Sequence, residues 1–143
     1  VWSFSPVRGE DSPTTDASWR NIMVPGAWEY QGFLKYDGFA RYRRTFTVPP
    51  QLMKESLVLL MGWIDDFDKT YINGKLVGST NDGRRYGESQ SYQQQRVYEI
   101  PPGLLIGGIN TIDVVVEDMG NYGGIWGGVV GIATKENYRR YVR

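Results

Sequence analysis

The chain has 143 residues, enough for one domain of ordinary size with a single core. Its 16 basic and 16 acidic residues cancel, so no charge excess favours nucleic acid or an anionic membrane surface. Cysteine and histidine are both missing, which excludes disulfides, thiolate nucleophiles, a Ser-His-Asp triad and the usual zinc sites, and leaves a carboxylate pair as the available hydrolytic chemistry.

No stretch reaches the length of a membrane-spanning helix, and the start lacks the basic-then-apolar pattern of a signal peptide. The sequence opens on the ordered-looking Val1-Trp2-Ser3-Phe4. It therefore reads as a single domain, residues 1–143, cut from a longer protein whose export signal lies elsewhere. Glycine, proline and short β-branched or aromatic runs dominate, and only residues 50–55 suggest a helical turn.

In chain order, strands are expected over 1–5 and 19–23, then over 41–48, where Tyr42, Phe46 and Val48 alternate with Arg41, Arg43, Thr45 and Thr47 until Pro49-Pro50. The apolar run SLVLLM over 56–61 reads as a strand buried on both faces. Residues 68–72 and 75–79 flank Asn73-Gly74, a type I′ hairpin signal because both central positions need positive φ. Strands over 96–100, 111–117 and 129–134 complete the pattern, and the charged tail 135–143 reads as a last strand or a linker stub. Eight to ten short strands at this spacing predict an all-β jelly-roll sandwich.

Successive strands cross a sandwich in alternating directions, so alternate connections share an end. With Asn73-Gly74 at the lower end, the connections 24–40, 62–67, 80–95 and 118–128 fall at the upper end. These carry Trp28, Glu29, Tyr30, Tyr36, Asp37, Trp63, Asp65, Asp66, Arg84, Arg85, Tyr86, Tyr92, Asp118, Asn121, Tyr122 and Trp126. The lower connections hold prolines, glycines and little that could recognise a ligand. Aromatic faces mixed with a few planar polar groups suit sugars, which stack on rings through their C–H faces.

Within this rim the candidate ligand-binding residues are Tyr36, Asp37, Asp118, Asn121, Tyr122, Trp126, Trp28 and Arg84. Trp126 lies between two glycine pairs, which would let an indole stand clear for stacking or fold back as a plug of the core. Arg84 could take a carboxylate or sulfate by a two-point contact. Asp65 and Asp66 admit three readings: N–H acceptors in a tight turn, ligands of a structural calcium, or half of an acid–base pair with Glu117 or Asp118. Asp68 is expected to meet an arginine such as Arg43 across the sheet. No other cofactor is implied.

Three segments carry a resemblance: WRNIMVPGAWEYQGFLKYDGFARYRRTF over 19–46, IDDFDKTYINGKLVG over 64–78, and RVYEIPPGLLIGGINTIDVVVEDMGNYGGIWGG over 96–128. Together they resemble the sugar-binding, galactose-binding-like jelly-roll domain of family 2 glycoside hydrolases, and equally the similar domain of sialate O-acetylesterases. The resemblance implies a non-catalytic module packed beside a separate catalytic domain, with the loop around Tyr36-Asp37-Gly38 and the loop 118–126 matching those that reach the sugar site in some members. It implies carbohydrate and the parent enzyme's catalytic domain as partners, no nucleic acid, and an extracellular or periplasmic location. A purely structural domain is the first alternative, and a small carboxylate-based glycosidase or lyase the second.

Overall fold

The computed structural model describes residues 1–7, 9, 19–32, 37–85, 87–120 and 122–141. Among these, strands β1 (Trp2–Val7), β2 (Arg20–Ile22), β3 (Gly38–Phe46), β4 (Leu57–Asp65), β5 (Phe67–Ile72), β6 (Lys75–Thr80), β7 (Gln95–Glu99), β8 (Asn110–Asp118) and β9 (Gly124–Thr134) precede a helix α1 (Lys135–Tyr141). The strands form an all-β sandwich of two antiparallel sheets. The larger has the order β2-β1-β3-β8-β5-β6 and the smaller β7-β4-β9.

The alternation read from the sequence drives this arrangement. In β3, Ala40 and Tyr42 are fully buried while Arg41 and Arg43 turn outward. There Arg43 Nε donates to Asp113 of β8 at 2.7 Å, so Asp113 rather than Asp68 is its partner, against expectation. All five residues Leu57 to Met61 of β4 are buried, as the unbroken apolar run requires. Asn73 (φ 49°) and Gly74 (φ 81°) form the expected turn. Phe4, Trp28, Tyr42, Met61, Ile64, Val114 and Ile125 fill the space between the sheets.

Registers define the two ends. Gly38 pairs with Asp118 at the upper end and Phe46 with Asn110 at the lower, while Asp65 pairs with Gly124 and Leu57 with Thr134 in the smaller sheet. Three expectations need correction. The tail is helical at Lys135–Tyr141, where Arg140 pairs with Glu136 one turn back. Strand β9 starts at Gly124, so Trp126 belongs to a strand and not to a loop.

The third concerns direction. Trp2 pairs with Ile22 and Phe4 with Arg20, so β2 runs away from the upper end, opposite to the alternation argument. The chain recovers through an irregular climb along β9, where Gly26 N–H donates to the Ile125 carbonyl (2.8 Å) and Trp28 N–H to that of Gly123 (3.0 Å). Among the described residues the climb bonds its backbone to the β9 side alone, and it carries Pro25, so it has no strand pattern of its own, yet it returns Glu29, Tyr30 and Asp37 to the rim.

Candidate functional site at the upper rim

Four chain segments meet at the upper end around an open cleft of about 720 Å³. Its lining comprises Gly26, Ala27 and Tyr30 from the climb and the 3-10 turn after it, and Asp65 and Asp66 from the end of β4. Gly87, Ser89, Gln90 and Tyr92 come from the connection before β7, and Gly120, Tyr122 and Trp126 from the β8–β9 region. The aromatic residues form two stacked pairs. Tyr30 and Tyr122 lie 5.3 Å apart with a 25° interplanar angle, and Trp63 and Trp126 lie 5.2 Å apart at 27°. Tyr30 is 76 % exposed, Tyr122 52 % and Trp126 38 %, so each offers ring surface to solvent.

The Trp126 indole is oriented on both sides. One face rests on Trp63, and its Nε1–H donates to the Tyr92 carbonyl at 3.2 Å. The surrounding glycines have a different use from the one the sequence suggests. A Cβ on Gly62, which has φ 63°, would come within 2.1 Å of the Gly127 carbonyl oxygen, because β4 and β9 touch there at an irregularity in their register. Glycine at this contact allows two backbones to meet.

The connection over 81–94 is tied by its own polar groups. Asp82 accepts from Gln90 N–H (2.7 Å), Ser89 Oγ (3.0 Å) and Arg84 N–H (3.1 Å). Partial burial raises the Asp82 pKa, but these donors outweigh it and hold the carboxyl below its ordinary value. Beneath the loop, Arg96 and Asp68 are a fully buried ion pair, Nε to Oδ1 at 2.8 Å. The guanidinium also donates to the carbonyls of Asp66 (2.7 Å), Gln94 (2.7 Å) and Ser91. Thr70 and Tyr98 hydroxyls, each 2.8 Å from Oδ2, satisfy the other side of Asp68. Arg96 therefore fixes three backbone points under the cleft. Asp68 pairs with Arg96 and not Arg43, since β7 brings the guanidinium under the rim while Arg43 faces outward.

At this end of the sandwich the carboxylates crowd together. One oxygen from each of Asp65, Asp66 and Asp118 lies within 4.8 Å of the others, and the same holds for Glu29, Asp37 and Asp118. Asp66 Oδ2 accepts from Met119 N–H at 2.9 Å, a bond to the segment after β8 and not within the turn that holds Asp66. Asp118 is pushed up to about 10 by burial first, and then by the neighbouring Asp65, Asp37 and Asp66, against the Gly120 N–H. Burial, the adjoining Asp66 and nearby Glu29 push Asp65 up to about 9, with Arg96 opposing. Burial likewise raises Glu29, although the Gly123 N–H favours its charged form.

The expected ligand residues divide accordingly. Tyr122 and Trp126 line the cleft; Asp37 is exposed and joins the carboxylate cluster, and Asp118 belongs to that cluster but is buried. Tyr36 and Asn121 lie outside the described residues. Trp28 needs correction: it is fully buried, 5.6 Å from Phe4, and presents no face to a ligand because the climb along β9 folds it into the core. Arg84 is exposed in its loop but does not line the cleft. Tyr30, Trp63 and Tyr92 contribute more than the sequence suggested. Their signal was their number on upper connections; their pairing across three segments had none.

Comparison with known proteins bears on this site. The model of the beta-galactosidase second all-beta domain matches residues 9–122. Among solved structures, a calcium-binding mutant of Bacteroides uniformis beta-glucuronidase 2 is 25% identical with a TM-score of 0.64, over 88% of this chain and 16% of that one. A putative beta-galactosidase from Bacteroides fragilis is 24% identical with a TM-score of 0.64, over 87% and 18%. A GH2 beta-galacturonidase from Eisenbergiella tayi is 20% identical with a TM-score of 0.62, over 92% and 22%. This chain thus spans about a fifth of the length of those enzymes. No curated protein matches in a sequence search.

Proposed function

This chain belongs to the family of the beta-galactosidase second all-beta domain, an accessory all-β domain of GH2 glycosidases, and from that premise we propose that it is a non-catalytic carbohydrate-binding module. The observation that supports binding is the cleft itself, where Tyr122, Trp126 and Tyr30 expose ring faces around Asp65, Gln90 and backbone groups. Sugar C–H faces stack on the rings while planar polar groups take hydroxyls. Asp37 at the cluster's exposed side is a further hydroxyl acceptor. The sheet order, with β3 beside β8, supports a jelly-roll reading of the sandwich.

The placement of the carboxylates supports a non-catalytic role. A glycosidase needs two acids facing the scissile bond from opposite sides, roughly 5 to 9 Å apart. Here Asp66, which lines the cleft, and Asp118 are both largely buried and engaged by Met119 and Gly120 N–H groups. The reaction belongs to the parent enzyme's separate catalytic domain, which is the second partner, and the parent is an exported protein. An open rim removes little sugar surface from water, so free sugars bind with Kd of roughly millimolar to tens of micromolar.

A glycan array or affinity gel run on the chain and on Trp126→Ala and Tyr122→Ala, with folding checked, tests the reading. Glycan binding weakened by both substitutions is the expected result. Retention of no neutral or acidic glycan sinks it and favours the second reading, a rim that docks on the catalytic domain, which the exposure of Tyr30 and Tyr122 also accommodates.

A further inference from the structure

Two buried oxygens at the rim have no hydrogen-bond partner: Glu29 Oε1 and Asp118 Oδ2. Both residues are more than nine-tenths buried, Glu29 at 7 % exposure and Asp118 at 2 %. In each, the other oxygen is held by a glycine N–H, Glu29 Oε2 by Gly123 at 2.8 Å and Asp118 Oδ1 by Gly120 at 3.2 Å. A buried carboxylate is normally paired or fully hydrogen-bonded, because leaving water without compensation is costly. Two half-satisfied carboxylates with oxygens within 4.8 Å of each other are harder to account for than one.

Both orphan oxygens belong to carboxylates that, with exposed Asp37, have oxygens within 4.8 Å of one another. Among the described residues, no ion pair joins a lysine or arginine to Glu29, Asp37 or Asp118. Gly123 sits at the centre: a Cβ there would come within 2.7 Å of Asp118 Oδ2 and 2.3 Å of the Trp28 ring. The space beside the Asp118 orphan oxygen therefore depends on a residue without a side chain.

We propose that Glu29, Asp37 and Asp118 form a site for a hard divalent cation of the calcium class. The donor set is all oxygen, without imidazole or thiolate, which suits calcium and not zinc or copper. Calcium tolerates mixed mono- and bidentate carboxylates completed by water, whereas magnesium demands a stricter octahedron. The neighbouring group Asp65, Asp66 and Asp118 is the weaker site, because neither Asp65 nor Asp66 leaves a buried oxygen unpartnered and Asp66 caps Met119. A cation here would tie the 3-10 turn after the climb, the start of β3 and the end of β8 into one rigid rim. It holds whether or not the rim binds sugar.

The test is a titration of the chain with calcium chloride after chelator treatment, followed by calorimetry, thermal unfolding and displacement of terbium whose emission is sensitised by Trp28. One calcium per chain, a raised Tm and a weaker response to magnesium are expected. Asp37 is exposed, so Asp37→Asn keeps the fold, and it should weaken calcium about tenfold or more, since affinity follows the count of charged ligands. Asp118→Asn should abolish binding, with circular dichroism confirming that it folds. No saturable binding at millimolar calcium overturns the proposal. So does binding that survives Asp37→Asn unchanged and falls only in Asp65→Asn, which would move the ion to the neighbouring group.

Discussion

Asn110, at the lower end, is fully buried and spends every polar atom. It accepts from Ile106 N–H (2.8 Å) and Asn73 Nδ2 (2.9 Å), and donates to the carbonyls of Ile106 and Gly108. Asn73 closes the same network through Leu104 and Thr111. Asp118, eight residues away at the other end of β8, is as deeply buried and leaves one oxygen orphaned among neighbouring carboxyl groups. One strand therefore carries a self-satisfied polar lock at one end and an unsatisfied cluster at the other. The difference separates polar groups that the fold itself satisfies from polar groups that it leaves partly unsatisfied.

The largest expected effects lie under the rim. Trp28→Ala should cost about 3–5 kcal/mol by emptying the core, measured by urea unfolding; near-wild-type stability would mean that Trp28 is a surface residue after all. Arg96→Met should cost a similar 3–5 kcal/mol, because it strands the Asp68 charge and frees three carbonyls. At the lower end, Asn110→Ala should cost about 1–3 kcal/mol for the donors and acceptors left unpaired.

Asp118→Asn is the sharper contrast. In chelator-treated protein it should leave stability within about 1 kcal/mol of the parent or raise it, since an amide takes the place of a buried carboxyl that is already held in its protonated form and has one oxygen unpartnered. A loss as large as that of Asn110→Ala would erase the distinction between the two ends. The smallest effect concerns the cleft loop. The Asp82 carboxyl has a depressed pKa, so its anchoring is complete above its ordinary value of 3.8 and is lost as pH falls through the lower folded-state value. Asp82→Asn should therefore shift the Arg84 and Gln90 amide resonances near pH 7 and leave them little changed in strong acid.

Much of the fold was legible in the residues. The Asn73-Gly74 turn, the alternation through Ala40 and Tyr42, and the unbroken run at Leu57–Met61 each carry a local physical reason visible in one segment. The alternation of strand directions also brought Tyr122, Trp126, Asp65 and Asp66 to one end, even though β2 runs the wrong way. What failed did so where the cause was not local. Trp28 looked like a rim aromatic until the climb along β9 turned it inward, and the glycines around Trp126 looked like freedom for an indole until β4 was found against them.

By itself the sequence determined an all-β sandwich, which end would carry aromatic and acidic groups, and which chemistries were unavailable without histidine or cysteine. Only the tertiary structure decided which of those groups face solvent, which stack in pairs, and which carboxyl oxygens are buried without a partner. Strand period and turn chemistry act over a few neighbouring residues, so they are written along the chain. Burial and hydrogen-bond satisfaction at the rim depend on Glu29, Asp37 and Asp118, residues up to 89 positions apart, meeting around the backbone of Gly123.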